Sequence, residues 1–149
     1  MTHGIRDHLT YRKRHERGTQ HPLDTLQTGA GTCRDYALLM IEALRRLGIA
    51  ARFVSGYLYT GDRAHAGGGS THAWVQVYLP DAGWIEFDPT NGITGSRDLI
   101  RVAVARDPVQ ALPLHGTYLG AADAFDGMEV NINVVSADRD ETREMETEA

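Results

Sequence analysis

The stretch GAGTCRDYALLM, residues 29–40, contains the only cysteine of the chain, Cys33, where a glycine-rich turn leads into an apolar run. Thr32 is a suitable N-cap residue, and Asp35 stands three positions later, where a capping box needs a side-chain acceptor. Arg45 and Arg46 in the last turn, with Gly48 shortly after them, mark the C-terminal end of a helix. The sequence therefore predicts a helix over residues 33–47 with the thiol in its first turn.

One face of this helix is predicted to be apolar. Its apolar residues recur at the i, i+3, i+4, i+7 spacing of a stripe that faces a core. They are Cys33, Tyr36, Ala37, Met40, Ala43, Leu44 and Leu47. Because free cysteines are among the most buried residues, the thiol can be core filler. At a helix N-terminus it can equally be an activated nucleophile.

A β-rich part follows the helix. Residues 51–59 are rich in β-forming side chains, and residues 60–71 form a glycine-rich segment that is predicted to be a mobile loop. Strands are predicted over residues 72–79 and 84–88, and the turn-forming residues 80–83 join them. The two strands therefore form a hairpin.

His72 begins the first strand of this hairpin, and Asp88 ends the second. Both side chains point to the same face only in a register with an even sum, in which they lie opposite or diagonal to each other. Direct pairing of Leu79 with Trp84 would separate them. The sequence therefore predicts a three- or five-residue connection, or a bulge near Gly83.

Cysteine, histidine and aspartate together suit nucleophilic catalysis. A helix N-terminus and a nearby imidazolium favour the thiolate, and the imidazole serves as acid and base. A carboxylate on the far ring nitrogen fixes the tautomer. Each residue alone has an ordinary structural explanation, as core filler, strand residue or turn former. Their joint placement predicts a catalytic triad of Cys33, His72 and Asp88.

Three segments carry a family resemblance. GAGTCRDYALLMIEALRRLGIAARFVSGYL, STHAWVQVYLPDAGWIEFDPTNG and ARDPVQALPLHGTYLG resemble successive blocks of the bacterial transglutaminase-like family, within the wider papain-like cysteine enzymes. The resemblance covers about residues 22–135. It implies an α+β fold of the papain-like/transglutaminase-like cysteine proteinase type, with the nucleophile helix packed on an antiparallel sheet. It also places the catalytic triad on Cys33, His72 and Asp88.

The resemblance suggests three parts: an N-terminal helical lead-in over residues 1–28, a catalytic core over 29–136 and an acidic flexible tail over 137–149. Family members often have a β-rich domain before the core, so this chain is either a minimal member or a fragment. Outside the hairpin and the nucleophile helix, the patterns predict shorter elements. They are a short helix around Ile5 and Leu9, a solvated basic run at 12–14, a strand near 99–104, irregular structure at 108–113 and a strand near 128–135.

The backbone N–H of Cys33 is the natural first donor of an oxyanion hole. In the transglutaminases that this chain resembles, the other donor is usually a tryptophan that precedes the cysteine, but both tryptophans here, Trp74 and Trp84, follow Cys33. Gln27 lies six residues before Cys33, the offset at which papain-like proteases place their glutamine donor, and is the candidate. Trp74 is a candidate for the substrate pocket. His65 is a candidate to reach the site from the glycine-rich loop, and His115 has a structural or rim position by default.

Composition limits the partners. The net charge of −5 carries no basic footprint for nucleic acid or a membrane surface. No apolar run approaches the roughly 18–20 residues that cross a bilayer, and the first residues lack the apolar core of a signal peptide. We therefore expect a soluble cytoplasmic protein that acts on a peptide or protein, with no cofactor and no bound metal.

Three functions remain open. The first is an enzyme whose thiolate attacks an amide, and the resulting thioester passes to water or to a primary amine. Water makes it a protease or amidase, which is favoured, whereas an amine makes it a transglutaminase. The second is a catalytically silent scaffold that binds peptide. The third is a Cys/His/Asp metal site, which ranks lowest because the three ligands lack a short-spaced chelating pair.

Overall fold

The computed structural model describes residues 1–14, 16, 18–59, 71–112, 114–117, 119–121, 123–127, 129–132 and 134. Most of the glycine-rich loop, with His65, and the predicted acidic tail lie outside these ranges. None of the helices in the described part of the chain combines the length and the apolar character needed to span a membrane.

The described residues form a mixed α+β fold, as predicted. The helices are α1 (Thr2–His8), α2 (Pro22–Thr28) and α3 (Cys33–Arg46), with a 3₁₀ helix at Pro108–Ala111. The strands are β1 (Thr10–Tyr11), β2 (Ala30–Gly31), β3 (Ala51–Leu58), β4 (Thr71–Leu79), β5 (Gly83–Asp88), β6 (Ile93–Thr94) and β7 (Leu99–Ala105).

Five of the described strands form an antiparallel sheet in the order β6-β5-β4-β3-β7. Helix α3 packs on one face of this sheet, where Ala37 and Ile41 meet Phe53 and Val75 in the core. A second buried cluster surrounds Trp74. Its strand residues alternate along the chain with those of the main core, so they point to the other face of the sheet. The short strands β1 and β2 pair in parallel just before α3, so the lead-in lies beside the start of the nucleophile helix.

Helix α3 begins at Cys33, and the Asp35 carboxylate accepts a hydrogen bond from the Thr32 backbone N–H at 2.8 Å, as the predicted capping box requires. The helix ends at Arg46, one residue earlier than predicted. Leu47 is therefore not part of the core stripe and is 67% exposed. Gly48 has a φ of +76°, a left-handed conformation that terminates the helix.

The hairpin register confirms the prediction that His72 and Asp88 share a face. Leu79 pairs with Gly83, which leaves a three-residue connection, and the register continues to a pair between Val75 and Phe87. By continuation, Asp88 stands across from the residue two positions after His72. The two side chains are therefore diagonal neighbours, within reach of each other.

The C-terminal strand prediction is wrong: residues 129–132 and 134 carry no strand, and Val130 is 52% exposed. Alternating apolar residues indicate a strand only where a neighbouring strand supplies hydrogen bonds, and no such pairing exists for these described residues. The segment over 108–113 is not wholly irregular, because Pro108 starts a 3₁₀ turn.

The lead-in also differs from the prediction. The short helix around Ile5 is present as α1, but α2 has no counterpart among the predicted elements. The basic run at 12–14 is exposed at Arg12 and Lys13, as predicted, but the Arg14 side chain is only 17% exposed because it pairs with Asp35. A buried partner 21 residues away leaves no local pattern in the sequence.

Gly56 occupies a site where a side chain does not fit. A Cβ atom there would lie 2.7 Å from the Trp74 ring and would collide with the carbonyl oxygen of Ile100, beside a bulge between β3 and β7. We expect Gly56→Ala to lower the free energy of unfolding by about 1–3 kcal/mol in urea denaturation, as overpacked cores do. Gly4→Ala, with open space around it, is the control and should be neutral or stabilising. Equal stability of the Gly56 variant and the wild type would contradict this prediction.

Candidate active site

Cys33 lies at the wall of a cavity of about 270 Å³, at the N-terminus of α3. The thiol residue is 7% exposed. Residues from the lead-in, α3, β4 and the C-terminal segment line the cavity; they include Arg14, Glu16, Cys33, Arg34, His72 and Leu112. The positive end of the α3 dipole therefore lies at a thiol residue that borders the cavity.

Gly31 allows the chain to enter α3 at this point. A Cβ atom there would lie 2.9 Å from the Cβ atom of Asp35 and 3.4 Å from the Tyr36 ring. Any larger residue would displace the carboxylate that caps the helix. The glycine of the GAGTC stretch is thus required by close packing, which sets where the thiol residue sits.

His72 and Asp88 form a buried pair. The Nε2 atom of His72 lies 2.8 Å from Oδ2 of Asp88, and both side chains are completely buried. The other ring nitrogen, Nδ1, is buried and has no hydrogen-bond partner among the described residues. Because Nε2 faces the carboxylate, Nδ1 is the atom left to exchange a proton with a reacting group in the cavity.

The charge state of His72 follows from these contacts. Burial opposes the charged ring, but the hydrogen bond to Asp88, the interaction with the Cys33 thiol and the negative charges of both partners outweigh it. Together they raise the pKa of His72 to about 10. At neutral pH the ring is therefore an imidazolium beside the thiol residue.

Asp88 is held by four donors. Besides the ring of His72, the backbone N–H groups of Thr90 and Asn91 donate to Oδ1 at 2.8 and 3.3 Å. The Asn91 amide donates to Oδ2 at 2.8 Å. Burial raises the pKa of Asp88, but these hydrogen bonds and the charge of His72 lower it by more. Asn91 is a site residue that the sequence reasoning missed. Its signal was the Asp-Pro-Thr-Asn turn, in which an aspartate binds backbone N–H groups two and three residues on.

Trp74 does not lie at the cavity. It is fully buried and stacks on the ring of His72, with centroids 5.9 Å apart and planes at 30°. Trp74 lies two positions after His72 in β4 and projects to the same face of the sheet, but side chains of the neighbouring strands cover it. The structure therefore places Trp74 behind the imidazole, as its support, rather than in the predicted substrate pocket.

Gln27 and His115 are not brought to the thiol either. Gln27 is exposed on α2, and it does not line the cavity. The buried residue of α2 is Thr25, and two helical positions correspond to about 200° of rotation, so the glutamine faces away. His115 is exposed, as a rim or surface residue would be. Gln27 is therefore not placed to act as the second donor of the oxyanion hole.

Asp35 links the lead-in to the nucleophile helix. Its fully buried carboxylate accepts two hydrogen bonds from Arg14, both at 3.0 Å. It also accepts hydrogen bonds from the Gln20 backbone N–H at 2.7 Å and from the backbone and hydroxyl of Thr32. Burial raises the pKa of Asp35, but these bonds lower it by more. The helix-capping residue is thus also the anchor of the N-terminal segment.

A metal site has no support in this geometry. In the part of the chain that the structure describes, no three His, Cys, Asp or Glu side chains are grouped so that they could hold a metal ion. His72 directs one ring nitrogen at a carboxylate and presents the other toward the thiol side, which is the arrangement of a base and its orienting group.

A cysteine at a helix N-terminus beside a histidine–aspartate pair on an antiparallel sheet defines the papain-like/transglutaminase-like cysteine proteinase class of fold. The family model described as "Transglutaminase-like superfamily" matches residues 2–89, more than half of the chain. The chain belongs to the transglutaminase-like superfamily.

Individual relatives agree with this assignment. An uncharacterized protein of Mycobacterium leprae is 41% identical over 101 residues, which cover 66% of this chain and 36% of that protein. A protein-glutamine gamma-glutamyltransferase of Pseudomonas aeruginosa is 36% identical over 77 residues, 47% of this chain and 11% of that protein. A crystal structure titled "putative cysteine protease" from Cytophaga hutchinsonii has a TM-score of 0.60 and 30% identity, and the match covers 74% of this chain and 36% of that one. The chain thus spans about a third of the M. leprae relative.

Proposed function

We propose that this chain carries the catalytic centre of a cysteine enzyme that cleaves or transfers an amide of a peptide or protein through a thioester on Cys33. The observation that carries the proposal is the buried His72–Asp88 pair: Nδ1 of His72 has no hydrogen-bond partner among the described residues, and His72 lines the same cavity as Cys33. A histidine with a purely structural role would ordinarily have both ring nitrogens satisfied when it is buried.

The reaction follows from the charges. The Cys33 thiolate attacks the amide carbonyl carbon, and its backbone N–H is positioned to stabilise the oxyanion. His72 gives its Nδ1 proton to the amide nitrogen, and the C–N bond breaks. The amine leaves, and the acyl group stays on the Cys33 sulfur as a thioester. Neutral His72 then takes a proton from water, which attacks the thioester and releases a carboxylic acid and the thiolate.

Hydrolysis is the favoured outcome, and transfer to a primary amine is the alternative. Amine transfer needs a channel that keeps water away from the thioester. Glu16 lines the cavity and has a side chain that is 74% exposed, so the cavity is open to solvent on that side, which supports water as the acceptor. The names of the relatives support both outcomes, since one is called a gamma-glutamyltransferase and another a putative cysteine protease.

The rate of alkylation of Cys33 by iodoacetamide as a function of pH tests the enzyme proposal. A thiolate paired with an imidazolium should react at pH 6, well below the value of about 8.5 at which a free thiol ionises. We expect His72→Ala to lower the rate at pH 6 by about tenfold, because the thiolate fraction falls while each remaining thiolate is more nucleophilic. At pH 9 the rates should converge.

The unfolded protein in denaturant supplies the free-thiol reference for this measurement. A wild-type profile that matches this reference, or a folded thiol that does not react at all, would contradict the proposal and favour a silent peptide-binding scaffold. Mass spectrometry of a peptide library, incubated with and without a primary amine, then separates hydrolysis from transfer. Cleaved products alone indicate a protease or amidase, and amine-linked products indicate a transglutaminase.

A further inference from the structure

Arg34 directly follows Cys33 and lines the same cavity. Its guanidinium lies over the Phe53 ring, 5.1 Å from the centroid, and donates through Nη2 to the Pro108 carbonyl at 3.2 Å. The Nε atom is buried, and among the described residues it has no hydrogen-bond partner. A guanidinium offers five N–H donors, and among the described residues only Nη2 of Arg34 has a hydrogen-bond partner.

The charge of Arg34 is also without a carboxylate partner among the described residues, since no ion pair includes it. The other arginine at the cavity, Arg14, differs in this respect: it pairs with Asp35 at 3.0 Å and lies 3.6 Å from Glu16. Burial lowers the pKa of Arg34, and the nearby Cys33 and Asp35 partly offset this effect. A half-buried cation with unused donors is costly unless a partner arrives.

We propose that Arg34 binds a carboxylate of the acyl donor, so that the substrates are peptides with an acidic group next to the scissile amide. This proposal rests on the proposed function, because it assigns the specificity of the same site. The carboxylate can come from an acidic side chain or from a free chain terminus, since both present the same two oxygens to a guanidinium.

The placement of Arg34 suits this role. The Phe53 ring and the Pro108 carbonyl hold the guanidinium from two sides, so little side-chain entropy is lost on binding. Charge-assisted hydrogen bonds from arginine to a carboxylate are among the strong ones in proteins, particularly where water is partly excluded. The chain has a net charge of −5, so general electrostatic attraction does not favour an anion, and the preference must be local.

Alkylation by two reagents of similar size tests the proposal. Iodoacetate carries a carboxylate, whereas iodoacetamide is neutral, and both react with the same thiolate. We expect Arg34→Gln to lower the iodoacetate rate constant at pH 7 by about tenfold or more, as loss of a hydrogen bond to a charged group would. The iodoacetamide rate constant should change little, and Arg34→Lys should keep most of the preference for iodoacetate.

Arg101→Gln is the matched control. It removes the same charge from β7, where the Arg101 side chain is 51% exposed and pairs with Glu86 away from the cavity. Its ratio of iodoacetate to iodoacetamide rates should equal that of the wild type. A purely structural role for Arg34 would instead lower both rates together and reduce thermal stability in both Arg34 variants.

The outcomes separate the two proposals. If iodoacetamide reacts normally and the rate ratio is the same in wild type and Arg34→Gln, the anion site is wrong and the proposed function stands. If the folded thiol reacts with neither reagent, both are wrong. Protection of Cys33 from iodoacetamide then identifies the source of the carboxylate. A blocked glutamate peptide or a neutral peptide with a free C-terminus should protect the wild type and not Arg34→Gln, and protection by neither would overturn the assignment.

Discussion

Replacement of Asp88 by asparagine is expected to lower kcat/KM for amide cleavage by about 10²- to 10⁴-fold, the range in which loss of the orienting carboxylate affects triad enzymes. Asp88 accepts a hydrogen bond from Nε2 of His72 in a fully buried setting. An asparagine side chain carries no negative charge, so it stabilises the imidazolium less than a carboxylate does, and when its NH2 group faces the ring it holds the wrong tautomer. The measurement uses the peptide amide that library profiling identifies as the best substrate.

Asp81→Asn is the control for this replacement. Asp81 is exposed in the hairpin turn and has a φ of +64°, a conformation that asparagine tolerates well. It should keep wild-type activity. Turnover by Asp88→Asn at the wild-type rate would mean that the buried pair has a structural role only, and the assignment of His72 as the acid would fail with it.

The same pair predicts how stability depends on pH. The lowered pKa of Asp88 gives stabilisation that is present above its usual value of 3.8 and is lost as pH falls. The raised pKa of His72 gives stabilisation that is complete below its usual 6.5 and is lost as pH rises towards about 10. The difference in unfolding free energy between wild type and Asp88→Asn should therefore be largest near pH 5 and shrink between pH 7 and pH 10. Urea denaturation at fixed pH values measures it, and a constant difference would contradict the assigned charges.

Arg14→Gln is expected to lower the free energy of unfolding by about 2–4 kcal/mol. Breaking a buried ion pair costs about 3–5 kcal/mol because one charge stays buried without its partner. The value is smaller here because Arg14 keeps 17% of its side chain exposed, although Asp35 keeps none. Since Asp35 caps α3, the start of the nucleophile helix should loosen, and hydrogen exchange at its first turn should become faster.

Lys13→Gln removes the same charge from the neighbouring exposed residue and should change stability by less than about 0.5 kcal/mol. Asp35→Asn is itself destabilising, because one oxygen that accepts from Gln20 or Thr32 becomes an NH2 group. The double variant, which removes both charges, should therefore lose less stability than the sum of the two single variants. Denaturation curves for the wild type, Arg14→Gln, Asp35→Asn and the double variant form a double-mutant cycle, with Lys13→Gln as the charge control. If Arg14→Gln were no less stable than Lys13→Gln, the lead-in would not be anchored through this pair.

Local patterns in the sequence predicted the parts of the molecule that depend on neighbouring residues. The start of α3 followed from Thr32 and Asp35, since a capping box is complete within four residues. The shared face of His72 and Asp88 followed from the two-residue period of strands and the length of one turn. Both predictions are confirmed, because periodicity and turn chemistry act over short stretches of chain.

Other features required the tertiary structure. Nothing near Arg14 in the sequence indicates that its partner is Asp35, and α2 turns Gln27 outward through the burial of Thr25. Alternation alone did not show that Trp74 is covered behind His72, or that residues near Val130 have no neighbouring strand. The sequence by itself determined where α3 begins and that His72 and Asp88 share a face. Only the tertiary structure decided which residues meet, because burial and charge pairing depend on contacts between distant segments.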